Sequence, residues 1–344
     1  MHHGASDAEI DQVCDSIRKR GLEPLLMPGN TMAIGIPSSI PPDVREPLGQ
    51  ILQILPGVDS VTHVSRSYKL ASREFHPADT IVDVGGVRFG QPNVTVIAGP
   101  CSIEGYDQLK ATAETVQRAG ATVLRGGAFK PRTSPYSFQG LAEEGLRIMQ
   151  QVGKETGIRT ISEVMSPDMV ETVAKHVDIL QIGARSMQNF PLLIEAGKSG
   201  HPAMLKRGPG ATVDEFLLAA EYLLANGNQN VILCERGVHP LDRTYTRNTL
   251  DLAAVPVLKE YSHLPVVVDP SHGTGKAKYV PAMCYAAIAA GADGIMVEVH
   301  PDPRESLSDA AQALTPALFE QMMEKLRGFV ASAGRSLSRI EARA

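Results

Sequence analysis

Residues Ala121-Thr-Val-Leu124 run directly into Arg125-Gly-Gly-Ala-Phe-Lys-Pro-Arg-Thr-Ser-Pro135. The first four read as a short buried strand, so the three cations that follow (Arg125, Lys130 and Arg132) fall at its carboxyl end. In α/β proteins ligands bind at that end of the strands. The glycines let backbone approach an anion closely, and Arg132 can grip phosphate oxygens in bidentate fashion. The competing reading is a solvated basic turn, the commonest fate of a charge run.

Working outward, short apolar runs alternate with helical stretches from residue 94 onward. Strand candidates are 94–98, 122–124, 159–161, 179–182, 203–205, 231–233, 266–268 and 294–297, with helical segments such as 108–118 and 213–224 between them. Eight such units over about 240 residues predict an α/β fold of the closed (β/α)8 TIM-barrel class, spanning 93–335. A doubly wound open sheet is the alternative. It is disfavoured because no Gly-x-Gly-x-x-Gly follows the first strand.

Upstream the pattern differs. Residues 8–20 read as an amphipathic helix with Ser6 as N-cap. Strands are expected at 25–27 and 31–36 around Pro28-Gly29-Asn30, then a helix at 44–55 and a strand at 58–64. This α-β-β-α-β order resembles a ferredoxin-like α+β domain over residues 1–70, apparently truncated by its first strand. Residues 65–79 read as an extended polar linker. A β-hairpin turning at Gly85-Gly86 follows, placing linker and hairpin within 71–92.

The 344 residues suffice for one large domain and a small one, and 43% hydrophobic content supports a sizeable core. A net charge of -5 argues against nucleic acid as a partner, and 5% aromatics offer no stacking platform for it. No apolar run reaches the ~18 residues needed to span a bilayer. Met1-His2-His3-Gly4-Ala5 carries no apolar signal core, and the four cysteines have no pairing-type spacing; both favour a cytoplasmic protein with free thiols.

If the barrel is right, residues after each strand point into one mouth. Lys130, Arg132, Arg185, Lys206 and Arg236 then form a cationic pocket in an acidic protein, suited to two phosphorylated substrates. Arg207 is expected to be taken up by an ion pair. Cys101, His272, Glu298 and Asp309 share the mouth. A thiolate, an imidazole and two carboxylates suit one divalent metal ion such as Mn, Fe, Co or Zn. Taken singly, the cysteine is a small buried hydrophobe and the histidine a structural hydrogen-bonding residue.

Together these residues resemble the type I 3-deoxy-D-arabino-heptulosonate 7-phosphate (DAHP) synthases. The matching motifs are Ala98-Gly-Pro-Cys-Ser102, Arg125-Gly-Gly-Ala-Phe-Lys-Pro-Arg-Thr-Ser-Pro-Tyr-Ser-Phe-Gln-Gly140, Gln181-Ile-Gly-Ala-Arg185, Leu205-Lys206, Leu233-Cys-Glu-Arg-Gly237, Asp269-Pro-Ser-His272 and Val297-Glu-Val-His300. The segment Tyr68-Lys-Leu-Ala-Ser-Arg-Glu-Phe75 and the hairpin are similar to the Iβ subgroup, which carries a ferredoxin-like N-terminal domain. The resemblance implies condensation of phosphoenolpyruvate with erythrose 4-phosphate, the first step of the shikimate pathway. Arg125, Lys130, Arg185, Lys206, Arg236 and the Ala184 backbone would hold phosphoenolpyruvate. Lys130, Pro131, Arg132, Thr133 and Ser186 would hold erythrose 4-phosphate. Cys101, His272, Glu298 and Asp309 would bind the metal, with Lys130, Cys101 and His272 catalytic. The sister enzyme, 3-deoxy-D-manno-octulosonate 8-phosphate (KDO8P) synthase, takes arabinose 5-phosphate and typically reads Lys-Ala-Asn-Arg-Ser where this chain reads Lys130-Pro131-Arg132-Thr133. A class I aldolase lysine is disfavoured, since Lys130 and Lys206 have phosphate partners in this reading. A non-catalytic phospho-sugar sensor is opposed by the intact site. A homo-oligomer, dimer or tetramer, is expected by analogy. The short N-terminal domain is expected to serve assembly, with inhibition by Phe or Tyr weak or lost.

Overall fold

The computed structural model describes residues 1–27, 32–38, 40–62, 66–130 and 136–340. The chain divides into two compact units, Met1–Ala78 and Asp79–Ala344.

In the first unit, helix α1 (Asp7–Arg18) starts where the sequence provides a capping box. The Ser6 hydroxyl accepts from the Glu9 amide, and the Glu9 carboxylate accepts from the Ser6 amide at 2.7 Å. Its apolar stripe of Ile10, Val13, Cys14 and Ile17 is buried. Strands β1 (Leu25–Met27) and β2 (Ala33–Gly35) pair antiparallel, and helix α2 (Pro42–Gln53) completes a core of Val13, Ile17, Leu22, Leu48 and Leu52.

Two expectations are corrected here. Residues 58–62 form no strand; Val64 lies outside the described residues. The cause is local: the Gln53 side chain accepts from the Val61 amide at 3.0 Å and donates to the Asp59 carbonyl at 3.4 Å. Backbone groups that a sheet would need are thereby occupied. The N-terminal unit, expected to be ferredoxin-like, has two strands, not three, among the described residues. Nor is the segment after residue 65 an extended solvated linker. It winds through turns in which Phe75 and His76 amides both donate to the Ser72 carbonyl, and Tyr68, Leu70 and Ala71 are buried.

The second unit opens with the hairpin β3 (Val82–Val84) and β4 (Val87–Phe89), Val82 opposite Phe89. Its turn is Gly85-Gly86, both at positive φ, with Asp83 Oδ1 accepting from the Gly86 amide at 2.8 Å. Eight parallel strands then alternate with helices: β5 (Asn93–Gly99), α3 (Tyr106–Ala119), β6 (Val123–Arg125), α4 (Ala142–Thr156), β7 (Arg159–Val164), α5 (Val170–Ala174), β8 (Ile179–Ile182), α6 (Phe190–Lys198), β9 (Ala203–Lys206), α7 (Val213–Ala225), β10 (Val231–Glu235), α8 (Ala254–Tyr261), β11 (Val266–Val268), α9 (Pro270–Thr274), α10 (Val280–Ala289), β12 (Gly294–Glu298) and α11 (Pro316–Ser332). Strands β5 to β12 pair in sequence order, and β12 pairs back onto β5, Glu298 opposite Gly99. The sheet closes as a (β/α)8 barrel. A short strand β13 (Ser336–Leu337) adds beside the start of β5, which the apolar pattern did not announce.

Side chains in a strand alternate faces with period two. The inward set packs as one cluster: Ile97, Val123, Ile161, Ile179, Met204, Ile232, Val267 and Met296. Hairpin residues Val82, Val84, Val87 and Phe89 belong to the same cluster, so the hairpin plugs the amino-terminal end of the barrel. Burying each such side chain contributes about 1.5–3 kcal/mol. No helix among the described residues is long and apolar enough to cross a membrane.

Candidate active site

Two residues beyond each inward apolar residue lies the next inward position, and on six of the eight strands the chemistry there turns polar, Cys234 after Ile232 staying in the apolar cluster. Val123 is followed by Arg125, Ile161 by Glu163, Ile179 by Gln181, Met204 by Lys206, Val267 by Asp269 and Met296 by Glu298. Arg125, Lys206 and Glu298 are the last residues of their strands rather than loop residues. Rigid strands therefore hold the polar ring. On β5 the corresponding position is Gly99, where a Cβ would fall 2.2 Å from the Arg125 carbonyl at φ +154. Glycine there lets the chain turn Cys101 into the mouth.

Among the described residues, the mouth is a cleft lined by six cationic side chains (Arg125, Lys130, Arg185, Lys206, Arg236 and Arg247) and two carboxylates, Glu163 and Asp309. In a chain of net charge -5, this is a local inversion of sign. Arg125 is 5% exposed. One terminal nitrogen lies 3.3 Å from Glu298 Oε1, while Nε and the other terminal nitrogen have no partner among the described residues. Buried guanidinium N–H groups left open in this way fit an anionic ligand.

Asp269, fully buried, organises the opposite wall. Its Oδ2 accepts from His272 Nδ1 at 2.7 Å and from the Lys206 ammonium, and its Oδ1 accepts from the His272 amide at 3.0 Å. Burial alone would raise the Asp269 pKa, but His272 and Lys206 hold it well below the usual carboxylate range. Burial in turn pushes the His272 pKa down. With Nδ1–H donated to Asp269, His272 Nε2 keeps its lone pair and stands 3.5 Å from Glu298 Oε1. That is the carboxylate–histidine arrangement of a metal-ligating imidazole.

Cys101 Sγ donates to Asp309 Oδ2 at 3.2 Å and receives the Lys130 ammonium at 3.0 Å. Burial, reinforced by the Glu298 charge, pushes this thiol up to about 11. The ligand atoms of Cys101, Glu298 and Asp309 lie within 4.8 Å of one another, and Glu298 Oε1 is buried without a hydrogen-bond partner. A soft thiol, two carboxylates and the adjoining imidazole, with an orphaned oxygen among them, fit a divalent transition metal ion.

The family model described as the DAHP synthetase I family matches residues 74–331. The chain belongs to the DAHP synthetase I family. A curated family relative, phospho-2-dehydro-3-deoxyheptonate aldolase of Thermotoga maritima, is 48% identical over 285 residues, covering 83% of this chain and 84% of the relative. A crystal structure of the Thermotoga maritima enzyme of that name (DAHP synthase) matches with TM-score 0.78 at 43% identity, covering 97% of each chain. More distant is 2-dehydro-3-deoxyphosphooctonate aldolase of Magnetococcus marinus, 31% identical over 265 residues, covering 72% of this chain and 91% of that one.

In this DAHP synthetase I family member the residues singled out from sequence converge on one mouth. Lys130, Ala184, Arg185, Lys206, Arg236, His272 and Asp309 line the cleft with Arg125. Ser186 lies on the same 3-10 turn as Ala184 but is not part of the lining. Pro131, Arg132 and Thr133 lie outside the described residues. Arg207 is consumed as expected, 2.9 Å from both Glu235 and Asp251. Arg125 and Lys206, expected as open cations, each lie beside a carboxylate from a non-adjacent part of the barrel, Glu298 at the end of β12 and Asp269 just after β11. Of the expected metal quartet, His272 lies outside the group whose ligand atoms are within 4.8 Å of one another, its Nε2 3.5 Å from Glu298 Oε1.

Two residues escaped sequence reasoning. Arg247 donates to Asp309 Oδ1 at 3.3 Å and to Gln312 Oε1 at 3.1 Å, and Gln312 Nε2 donates to Glu298 Oε2 at 3.0 Å. This chain links Glu298 and Asp309, the two carboxylates of the candidate metal cluster. Arg247 sits on the loop after β10, at the carboxyl end of the barrel, and that placement was the available signal.

Proposed function

We propose that this chain condenses phosphoenolpyruvate with erythrose 4-phosphate and water, giving 3-deoxy-D-arabino-heptulosonate 7-phosphate and phosphate with one divalent metal ion. The observation that carries this reading is Arg125: two buried guanidinium nitrogens without partners among the described residues lie beside the Cys101, Glu298 and Asp309 cluster. The 48% identity to the Thermotoga maritima relative supports the four-carbon acceptor.

Arg125, Arg185, Lys206, Arg236 and the Ala184 backbone would hold the phosphate and carboxylate of phosphoenolpyruvate. Cys101, His272, Glu298 and Asp309 would hold the metal ion, which supplies Lewis acidity at the aldehyde oxygen when bound. Arg132, Thr133, Pro131 and Ser186 would seat the sugar phosphate. C3 of phosphoenolpyruvate bonds to the aldehyde carbon, water adds at C2, and phosphate leaves by C–O cleavage. Lys130 Nζ stands 3.0 Å from Cys101 Sγ and would donate the proton that makes the new hydroxyl. Asp269 keeps His272 in its Nε2-facing tautomer. The cations fix the reacting carbons together and offset clustered anionic charge.

Phosphate release from phosphoenolpyruvate, measured with Mn2+ or EDTA, tests this. Metal-dependent release with erythrose 4-phosphate but not arabinose 5-phosphate is the expected result. Preference for the five-carbon sugar would move the assignment to KDO8P synthase, and release with neither would end the enzymatic reading. The two-stranded N-terminal unit is assigned to assembly of a homo-oligomer rather than to inhibition by Phe or Tyr; half-inhibition at low micromolar Phe or Tyr would refute that.

A further inference from the structure

The loop after β12 carries Asp309 back over the barrel mouth, and a separate set of side chains holds it there. Asp309 itself sits at φ +49, a left-handed conformation that a non-glycine residue adopts only under constraint. One residue before it, the Ser308 hydroxyl lies 2.6 Å from the Ser102 hydroxyl, and Ser102 directly follows Cys101. Both serines are buried. The two metal-facing residues are thus tied through their immediate neighbours, across 206 positions of sequence.

Glu104 extends the tie. Its Oε1 accepts from the Leu307 amide at 2.9 Å and from Ser102 Oγ at 3.3 Å, and its Oε2 accepts from His300 Nε2 at 3.2 Å. His300 Nδ1 accepts from the Asp302 amide at 3.2 Å. That bond fixes the tautomer: Nδ1 is the acceptor, so Nε2 carries the hydrogen given to Glu104. One carboxylate and one neutral imidazole therefore pin both ends of the loop, at Asp302 and at Leu307, to the segment that follows Cys101. None of these four side chains belongs to the metal-facing set of Cys101, Glu298 and Asp309.

We propose that Ser102, Glu104, His300 and Ser308 form a clasp that places Asp309 opposite Cys101, and that they are positioning residues setting the affinity for the divalent metal ion. The inference rests on the metal reading above. Outer partners that orient metal ligands affect affinity by about 10–100-fold. Removing the clasp leaves every ligand side chain present but frees the loop that carries Asp309, so the loss falls on metal binding rather than on chemistry at saturating metal.

The experiment is Mn2+ binding by equilibrium dialysis on the full chain, with kcat measured at saturating Mn2+. Glu104→Ala is expected to raise the Mn2+ Kd about tenfold or more while kcat at saturation stays within about twofold. His300→Ala should behave alike, and His300→Gln should restore affinity, because the amide accepts from Asp302 and donates to Glu104. Should Glu104→Ala fail to fold, Ser102→Ala combined with Ser308→Ala removes only two hydroxyls and decides the matter by the same readout. Unchanged Mn2+ Kd in the folded variants overturns the clasp, as does equal binding by His300→Ala and His300→Gln. Wild-type protein that binds no Mn2+, or binds it undiminished after Cys101→Ala, overturns the metal reading and the clasp with it. Wild-type binding abolished by Cys101→Ala, with clasp variants at wild-type affinity, overturns the clasp alone.

Discussion

Asp269 Oδ2 lies 2.7 Å from His272 Nδ1 and accepts the Lys206 ammonium on the same atom. One buried carboxylate thus serves the metal side and the anion side of the mouth together. Asp269→Asn removes the charge that both partners rely on and leaves Lys206 buried without a counter-charge. Unfolding in denaturant should show a loss of about 3–5 kcal/mol. Activity should fall even at saturating metal, which distinguishes this residue from one that only supports the fold.

Arg125→Lys keeps a cation near Glu298 and deletes the two open guanidinium N–H groups. A hydrogen bond to a charged group is worth about 1.5–3 kcal/mol. The KM for phosphoenolpyruvate should therefore rise about 10–100-fold, with a much smaller effect on the sugar phosphate. Steady-state kinetics with each substrate varied in turn checks this. An unchanged KM would displace Arg125 from the anion site.

Burial holds the Cys101 thiol at about 11, so it is protonated in the unliganded protein at neutral pH. A metal ion binds the thiolate and must release that proton. Below the thiol pKa, the apparent metal Kd should fall about tenfold for each unit of rising pH while one proton is released. Mn2+ titrations between pH 6 and 8, paired with proton-release measurements in weak buffer, test the slope. Cys101→Ser should abolish both the proton release and most of the affinity.

Arg207 lies outside the cleft lining, yet it is held 2.9 Å from Glu235 and from Asp251. Burial raises the Glu235 pKa against the pull of Arg207. Arg207→Met removes that pull and drives the folded-state pKa further above its unfolded value. A carboxyl with a raised folded pKa stabilises below the unfolded value and loses that stability as pH rises. The variant should therefore be destabilised by about 3–5 kcal/mol at pH 7 and by less at pH 5. Denaturant midpoints at the two pH values decide it.

Phe89 is fully buried in the cluster that fills the barrel interior. Phe89→Ala should cost about 3–5 kcal/mol. A calorimetric scan of the intact chain will show whether the plug unfolds with the barrel or ahead of it.

The barrel was legible because its strands are buried on both faces and so read as unbroken apolar runs, as at 179–182 and 266–268. The site was legible for the same reason in reverse: four of the eight runs end abruptly in a charge, as Leu124 gives way to Arg125 and Leu205 to Lys206. Residues 58–62 misled because a β-like sequence says nothing about a glutamine one helix earlier occupying its backbone. Arg247 and Gln312 were invisible because their partners lie in distant parts of the sequence, and no local spacing marks a contact made only by the closed barrel. The double duty of Asp269 was hidden in a motif where the histidine drew the reading.

The packed side chains of the barrel interior, capped by the hairpin of residues 82–89, leave the cleft open at the carboxyl end alone. Reactants and products share one doorway, and Arg125 lies near its floor. A molecule seated against Arg125 is reached from one side only, so anything else held in the mouth lies between it and solvent.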